Sequence, residues 1–234
     1  MTAALHTPDR TPDSPGTVLV LAGGGYQDRS PHECEDVSRF LADHGVRAAW
    51  LDYPVAPARY PEALHQVLIA LARLREHGPV AVLGFSAGGH LAGTAATATA
   101  EELADAAALG GLELAQVRRP DAAVLCYPVV SMVDHPHLGS RLNLIGVPDD
   151  APARALSVEL RADARTPPVF AWHTADDAVV GVEHSLALTA ALRRHQVPVE
   201  LHVYPHGRHG LGLAPGEIDW TTPLLRWLTE QGIA

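Results

Sequence analysis

The stretch that decides the fold covers residues 80–93 and reads VAVLGFSAGGHLAG. It opens with an apolar run, contains the pattern G-x-S-x-G at residues 84–88, and continues into small residues that favour a helix. A strand, a sharp turn and a helix in this order form a nucleophile elbow, which holds a serine at the end of the strand. Glycines flank the serine because the turn is too tight for larger side chains. The pattern therefore predicts that Ser86 is a nucleophile.

Apolar runs and amphipathic segments alternate along the rest of the chain. This alternation predicts an α/β fold with a mostly parallel sheet of about six strands and helices on both faces. The predicted strands are residues 17–22, 46–53, 80–84, 122–127, 169–174 and 199–204. The predicted helices are residues 32–44, 61–76, the helix from Ser86, 182–195 and 219–231.

The length and the distribution of prolines predict one domain with two irregular segments. Residues 1–15 are polar and proline-rich, so we expect a flexible lead-in before a single α/β domain at residues 16–234. Residues 131–168 are rich in His, Pro, Asp and Gly and interrupt the alternation. We expect this segment to be a lid or pocket wall.

Charge and composition narrow the class of partner. The net charge is −10 and all 17 basic residues other than histidine are arginine, which argues against nucleic acid or an anionic membrane as partner. No apolar stretch reaches the ~18 residues of a membrane span, and the N-terminus lacks the pattern of a secretory signal, so we expect a cytoplasmic protein. Neither Cys34 nor Cys126, nor the scattered histidines, matches a metal or redox motif. No metal and no cofactor are expected.

A nucleophilic serine needs a base and an acid, and both follow later strands. Asp176 and Asp177 follow the predicted strand 169–174, and alternation along an extended segment lets only one of them reach a histidine. His206 and His209 follow the last predicted strand in a glycine-rich loop, and we prefer His209 as the base. The order serine, aspartate, histidine along the chain is the order found in hydrolases that carry their serine on a nucleophile elbow.

Acyl transfer also needs N–H donors for the negative charge that develops on the carbonyl oxygen. The backbone N–H of Ala87, directly after the serine, is one expected donor. The others are expected at Gly24 and Gly25 in the GGGY run after the first predicted strand, where glycine lets the backbone turn its N–H groups toward a ligand.

At this point the chain resembles small bacterial α/β-hydrolase esterases related to acetyl esterases and acetylxylan esterases, near the hormone-sensitive-lipase-like group. The resemblance covers about residues 17–231. It rests on GFSAGGHLA at the elbow, GGGY at residues 23–26, HLGS and NLIG at residues 137–146, and TPPVFAWHTADD at residues 166–177. It implies a three-layer α/β-hydrolase fold that lacks the N-terminal strands of the full fold.

The resemblance also implies a function and a choice among the site residues. It selects Asp177 as the acid and His209 as the base, although Gly181 replaces a family proline and Ala22 replaces a family histidine. It implies a serine esterase for short acyl groups, especially acetyl esters, with a small-molecule substrate. Tyr26 and His90 are candidate pocket residues. An amide hydrolase on the same triad and a non-catalytic ligand receptor are the alternatives, and the oligomeric state is left open.

Overall fold

Continuous apolar runs form one seven-stranded sheet in the computed structural model, which describes residues 3–147 and 149–234. The strands are β1 (Leu5–His6), β2 (Thr17–Leu21), β3 (Arg47–Leu51), β4 (Val80–Phe85), β5 (Ala122–Cys126), β6 (Val169–Thr174) and β7 (Val199–Tyr204). Every residue of β2, β4, β5 and β6 is buried. Such burial is typical of parallel strands that helices cover on both faces.

The strand order places the carboxyl ends of β2 and β4 side by side at the centre of the sheet. The order is β1-β3-β2-β4-β5-β6-β7, in which β1 is antiparallel to β3 and the other pairs are parallel. The chain runs outward from β2 to β3 and then returns to β4 on the other side of β2, where Leu21 lies opposite Gly84. Open α/β sheets bind ligands at such a reversal, outside the carboxyl ends of the strands.

Helices cover both faces of the sheet, as predicted. They are α1 (Glu35–Asp43), α2 (Glu62–Leu74), α3 (Ser86–Ala96), α4 (Ala100–Gly110), α5 (Leu138–Ile145), α6 (Asp150–Ala155), α7 (Val158–Arg161), α8 (Glu183–Arg194) and α9 (Thr221–Glu230). Val18 and Val20 belong to the core that includes α1 and α9, whereas Leu19 and Leu21 belong to the core with α2, α3 and α8. Alternate side chains of one strand thus serve two cores. The three-layer α/β prediction is confirmed.

Two details differ from the sequence-based expectations. Part of the lead-in at residues 1–15 is tied to the sheet, since Leu5 and His6 pair with Leu51 and Trp50 in β3, and this corrects the expectation of a wholly flexible segment. Helix α4 was not predicted. Residues 131–168 contain the short helices α5, α6 and α7. Residues 1, 2 and 148 of these two segments lie outside the described residues. None of the helices in the described ranges combines the length and the apolarity needed to cross a membrane.

Candidate active site

Ser86 occupies a backbone conformation that its neighbours enforce. It is the first residue of α3, directly after β4, and its φ is 51°, in the left-handed region that non-glycine residues rarely adopt. A Cβ on Gly84 would overlap the carbonyl of Gly88, and a Cβ on Gly88 would overlap the carbonyls of Leu21 and Ala22. The glycines of G-x-S-x-G are therefore a steric requirement of this elbow.

A row of hydrogen bonds joins the elbow to the loops after β6 and β7. His209 Nε2 lies 2.8 Å from Ser86 Oγ, and His209 Nδ1 lies 2.6 Å from Asp177 Oδ2. The other oxygen of Asp177 accepts the N–H groups of Val179 and Val180 at 2.9 and 3.0 Å. Three side chains from separate parts of the sequence thus meet at the carboxyl edge of the sheet.

The electrostatics of Asp177 determine which nitrogen of His209 carries the proton. Burial raises the pKa of this carboxyl, but hydrogen bonds from His173, His209 and two backbone N–H groups outweigh burial and hold the pKa well below its usual range. An ionised carboxylate can only accept, so Nδ1 of His209 must carry its hydrogen. In the neutral ring this leaves Nε2 as an acceptor for the Ser86 hydroxyl. The arrangement can therefore remove the serine proton.

The neighbouring aspartate and histidine form a separate, exposed pair. Asp176 Oδ2 lies 2.9 Å from His206 Nδ1, and Asp176 Oδ1 accepts the Gly207 N–H at 2.8 Å. Both side chains are at least half exposed and neither is hydrogen-bonded to Ser86. Of the two candidate pairs, the structure brings Asp177 and His209 to the serine.

The glycine-rich loop after β2 lies against the elbow. A Cβ on Gly23 would lie 3.0 Å from the Cβ of Ser86, and Gly24 and Gly25 have φ values of 130° and 64° that favour glycine. Within residues 3–147 and 149–234, no protein acceptor is found for the N–H groups of Gly24 and Gly25. The N–H of Ala87 lies in the first turn of α3, where no intrahelical carbonyl is available. These donors can serve a ligand next to Ser86.

The predicted pocket residues Tyr26 and His90 are buried and hydrogen-bonded to each other. Tyr26 Oη lies 2.7 Å from His90 Nδ1, and His90 Nε2–H donates to the carbonyl of Leu156 at 2.7 Å. Burial lowers the pKa of His90 to about 4, so the ring is neutral near pH 7. Both ring nitrogens are engaged, and the two side chains line a small internal cavity. Their part in substrate binding stays a prediction.

Sequence reasoning missed several residues close to the hydrogen-bonded series Ser86, His209 and Asp177. A Cβ on Gly25 would lie 3.9 Å from His137 Cε1 and from Ser140 Oγ, and Asn143 donates to the Gly25 carbonyl at 3.0 Å. Burial and the proximity of His209 lower the pKa of His137. The start of α5 thus forms a wall beside the glycine loop. No spacing rule pointed to these residues, although HLGS and NLIG are among the stretches that carry the family resemblance.

In the part of the chain that the structure describes, no group of three or more His, Cys, Asp or Glu side chains is arranged to hold a metal ion.

Comparisons with known proteins place this chain among hydrolases. Residues 121–232 match the model of the prolyl oligopeptidase family. The crystal structure of an acetyl ester-xyloside bifunctional hydrolase from Caldicellulosiruptor lactoaceticus superposes with a TM-score of 0.85 at 35% identity, over 99% of this chain and 88% of that chain. Endo-1,4-beta-xylanase B of Butyrivibrio fibrisolvens is 31% identical over 229 residues, which is 92% of this chain. Acetylxylan esterase of Xylanibacter ruminicola is 26% identical over 218 residues, which is 86% of this chain.

The two curated relatives are much longer than this chain. The chain spans 35% of the xylanase and 42% of the acetylxylan esterase, whereas it spans most of the Caldicellulosiruptor hydrolase.

Proposed function

Because the chain belongs to the α/β-hydrolase family that includes acetyl ester hydrolases, we propose that it is a serine carboxylic-ester hydrolase that uses Ser86, His209 and Asp177. The observation that carries the proposal is the continuous row of hydrogen bonds from Ser86 Oγ through His209 to the buried carboxylate of Asp177. The order of these residues along the chain is that of α/β-hydrolases.

The geometry supports a two-step mechanism. His209 Nε2 takes the proton of Ser86 as Oγ attacks the ester carbonyl, and the same nitrogen then gives this proton to the leaving alcohol. The acyl group is now bonded to Ser86. A water molecule, activated by His209 in the same way, attacks the acyl carbon, and the acid and free Ser86 are released. Asp177 keeps His209 in the required tautomer and stabilises the imidazolium that forms in each step.

The N–H groups of Ala87, Gly24 and Gly25 are the proposed donors to the oxyanion. Among the described residues, the N–H groups of Gly24 and Gly25 have no protein acceptor, and this supports the role because preorganised N–H groups stabilise a developing charge without reorganisation. One such donor contributes about 3–4 kcal/mol to transition-state stabilisation in other hydrolases.

A short acyl group on a sugar is the proposed substrate. One of the similar proteins is an acetyl ester-xyloside bifunctional hydrolase, another is an acetylxylan esterase, and the third is a xylanase. The small volume of the cavity that Tyr26 and His90 line supports a short acyl group.

Hydrolysis of 4-nitrophenyl acetate tests the proposal. The wild type should hydrolyse this ester, and Ser86→Ala should not. A series of nitrophenyl esters with longer acyl chains should show a falling kcat/KM. Equal rates for wild type and Ser86→Ala would contradict the proposal, and a maximum at long chains would contradict the acyl preference.

An amide hydrolase on the same triad is the second candidate, and the match of residues 121–232 to the prolyl oligopeptidase family favours it. Comparing the rates of matched acetyl ester and acetyl anilide substrates separates the two. A non-catalytic receptor would not react with a fluorophosphonate, whereas either hydrolase would be labelled at Ser86. The cytoplasmic location stays a prediction.

A further inference from the structure

A buried carboxylate links the two loops that carry the oxyanion donors and the base. Glu33 lies at the end of the short 3-10 turn Pro31–Glu33 and is 2% exposed. Its Oε2 accepts the N–H of Gly23 at 2.8 Å, and its Oε1 accepts the hydroxyl of Tyr127 at 2.6 Å. The hydroxyl of Tyr127 in turn accepts the N–H of Gly212 at 2.9 Å.

Each end of this chain of hydrogen bonds lies next to a part of the proposed machinery. Gly23 immediately precedes Gly24, and Glu33 leaves no room for a side chain on it, since a Cβ would lie 2.6 Å from Glu33 Oε2. Gly212 lies in the loop of His209, and the ring of His209 packs edge-on against Tyr127 with centroids 5.1 Å apart. The same turn also contacts the histidine loop through His32, whose Nε2–H donates to the Gly210 carbonyl at 3.1 Å.

We propose that Glu33 is a positioning residue that fixes the Gly23 peptide, and through Tyr127 the histidine loop, so that oxyanion donors and base keep their places relative to Ser86. This inference deepens the proposed function and rests on it.

The chemistry requires a carboxylate at this position. Both partners of Glu33 are donors, and an ionised carboxylate accepts two hydrogen bonds without a donor of its own. The amide of glutamine has one acceptor oxygen. If that oxygen keeps the Gly23 N–H, the amide N–H₂ faces the Tyr127 oxygen, and the Tyr127 hydrogen loses its acceptor. A buried donor without a partner is costly, so the bridge must shift.

Glu33→Gln should therefore act on the chemical step. Loss of one oxyanion donor lowers kcat by about 100- to 1,000-fold in other hydrolases, and a displaced donor should have a smaller effect. We expect kcat for 4-nitrophenyl acetate to fall by about 10- to 100-fold while KM changes by less than about threefold. The affinity for a boronic acid, which mimics the tetrahedral intermediate, should fall in step with kcat. Glu35→Gln is the matched control, because Glu35 is exposed and pairs only with Arg39 in the described structure.

Tyr127→Phe provides the second variant and keeps the test decisive if Glu33→Gln does not fold. It removes the bridge but leaves the aromatic packing, and kcat should fall by about 3- to 10-fold at unchanged KM. Because both changes break one bridge, the double variant should lose less than the product of the two single losses. If the loss of kcat in the double variant equals the product of the two single losses, the two residues act independently and the inference is overturned. A Glu33→Gln protein with wild-type kcat and a lowered melting temperature would also overturn it.

The rate of Ser86 labelling by a fluorophosphonate separates this inference from the proposed function. The reagent needs the same donors for its phosphoryl oxygen, so labelling of Glu33→Gln should slow by about the same factor as kcat. If the wild type is labelled but cleaves no ester, the proposed substrate class is wrong and the labelling rates still decide the role of Glu33. If ester cleavage is present and Glu33→Gln is labelled at the wild-type rate, the positioning role is wrong.

Discussion

Replacing Asp177 by asparagine should stop His209 from acting as a base, although the new side chain keeps its hydrogen-bond partners. The two oxygens of Asp177 have different partners, the N–H groups of Val179 and Val180 on one side and His209 Nδ1 on the other. The single oxygen of asparagine should stay with the two backbone donors, since leaving two buried N–H groups unpaired costs about 1–3 kcal/mol each. The amide N–H₂ then faces His209.

The consequence is a change of tautomer. An N–H₂ group donates to Nδ1, so the hydrogen of His209 moves to Nε2 and points at Ser86. The ring can no longer accept the serine proton. The same change in a serine protease triad lowers kcat about 10⁴-fold. That factor corresponds to about 5.5 kcal/mol of transition-state free energy. We expect a loss of this order for Asp177→Asn, with a fold as stable as the wild type to within ~2 kcal/mol.

The assay is the steady-state kcat for 4-nitrophenyl acetate together with the rate of fluorophosphonate labelling. Asp176→Asn is the matched control, because the adjacent carboxylate contacts only exposed His206 and Gly207 in the described structure. It should change kcat by less than about threefold, as expected for an exposed pair. If Asp177→Asn kept a tenth of the wild-type kcat, or if Asp176→Asn lost as much, the tautomer argument would be refuted.

Three further predictions concern stability. Gly88→Ala should prevent folding of the elbow, because its Cβ would overlap the carbonyls at the end of β2; a soluble variant with wild-type circular dichroism and activity would contradict this. Burial lowers the pKa of both His90 and His184 from 6.5 to about 4, so each histidine is neutral when folded and protonates more readily when unfolded. The contribution of each neutral histidine to the free energy of unfolding is therefore fully present above pH 6.5, and about 3 kcal/mol of it per histidine is lost as the pH drops to about 4. Urea unfolding at pH 7 and 4.5 should show a smaller loss on acidification for His90→Gln than for the wild type. Arg161→Met should lower the free energy of unfolding by about 3–5 kcal/mol, since it leaves the carboxylate of Glu102 buried without its ion partner; a loss below about 1 kcal/mol in urea titrations would contradict it.

The sequence was most informative where burial leaves a strong pattern. The six main strands are predicted because strands covered on both faces are continuous apolar runs, and their parallel direction places the carboxyl ends of β2, β4, β6 and β7 at one edge of the sheet. The family resemblance is confirmed by the comparisons. Helix α4 was missed although its start is readable, since Thr99 and Glu102 form a capping box. Strand β1 has two residues, which is too short for any periodic pattern.

Sequence patterns do not predict side-chain contacts between residues that are far apart in the chain. Glu33 stands in an acidic stretch with Glu35 and Asp36 and resembles a solvated charge. Its burial depends on Tyr127, which lies 94 residues away. For the same reason the residue pattern alone does not choose between Asp176 and Asp177, and only the family resemblance selects Asp177. Alternation indicates that the two side chains diverge, but only the packed loops show which of them turns inward.

The hydrogen-bonded residues of the site lie far apart in the sequence, and this also affects how the protein folds. The hydrogen bond between His209 and Ser86 spans 123 residues, and the contact of Tyr127 with Gly212 spans 85. Contacts of such long range form only after much loop-closure entropy has been lost, so they form late in folding. Secondary structure measured by far-UV circular dichroism can recover while these contacts are still absent. During refolding from urea, the reactivity of Ser86 should therefore report on completion of the whole sheet, from its first long strand to its last loop.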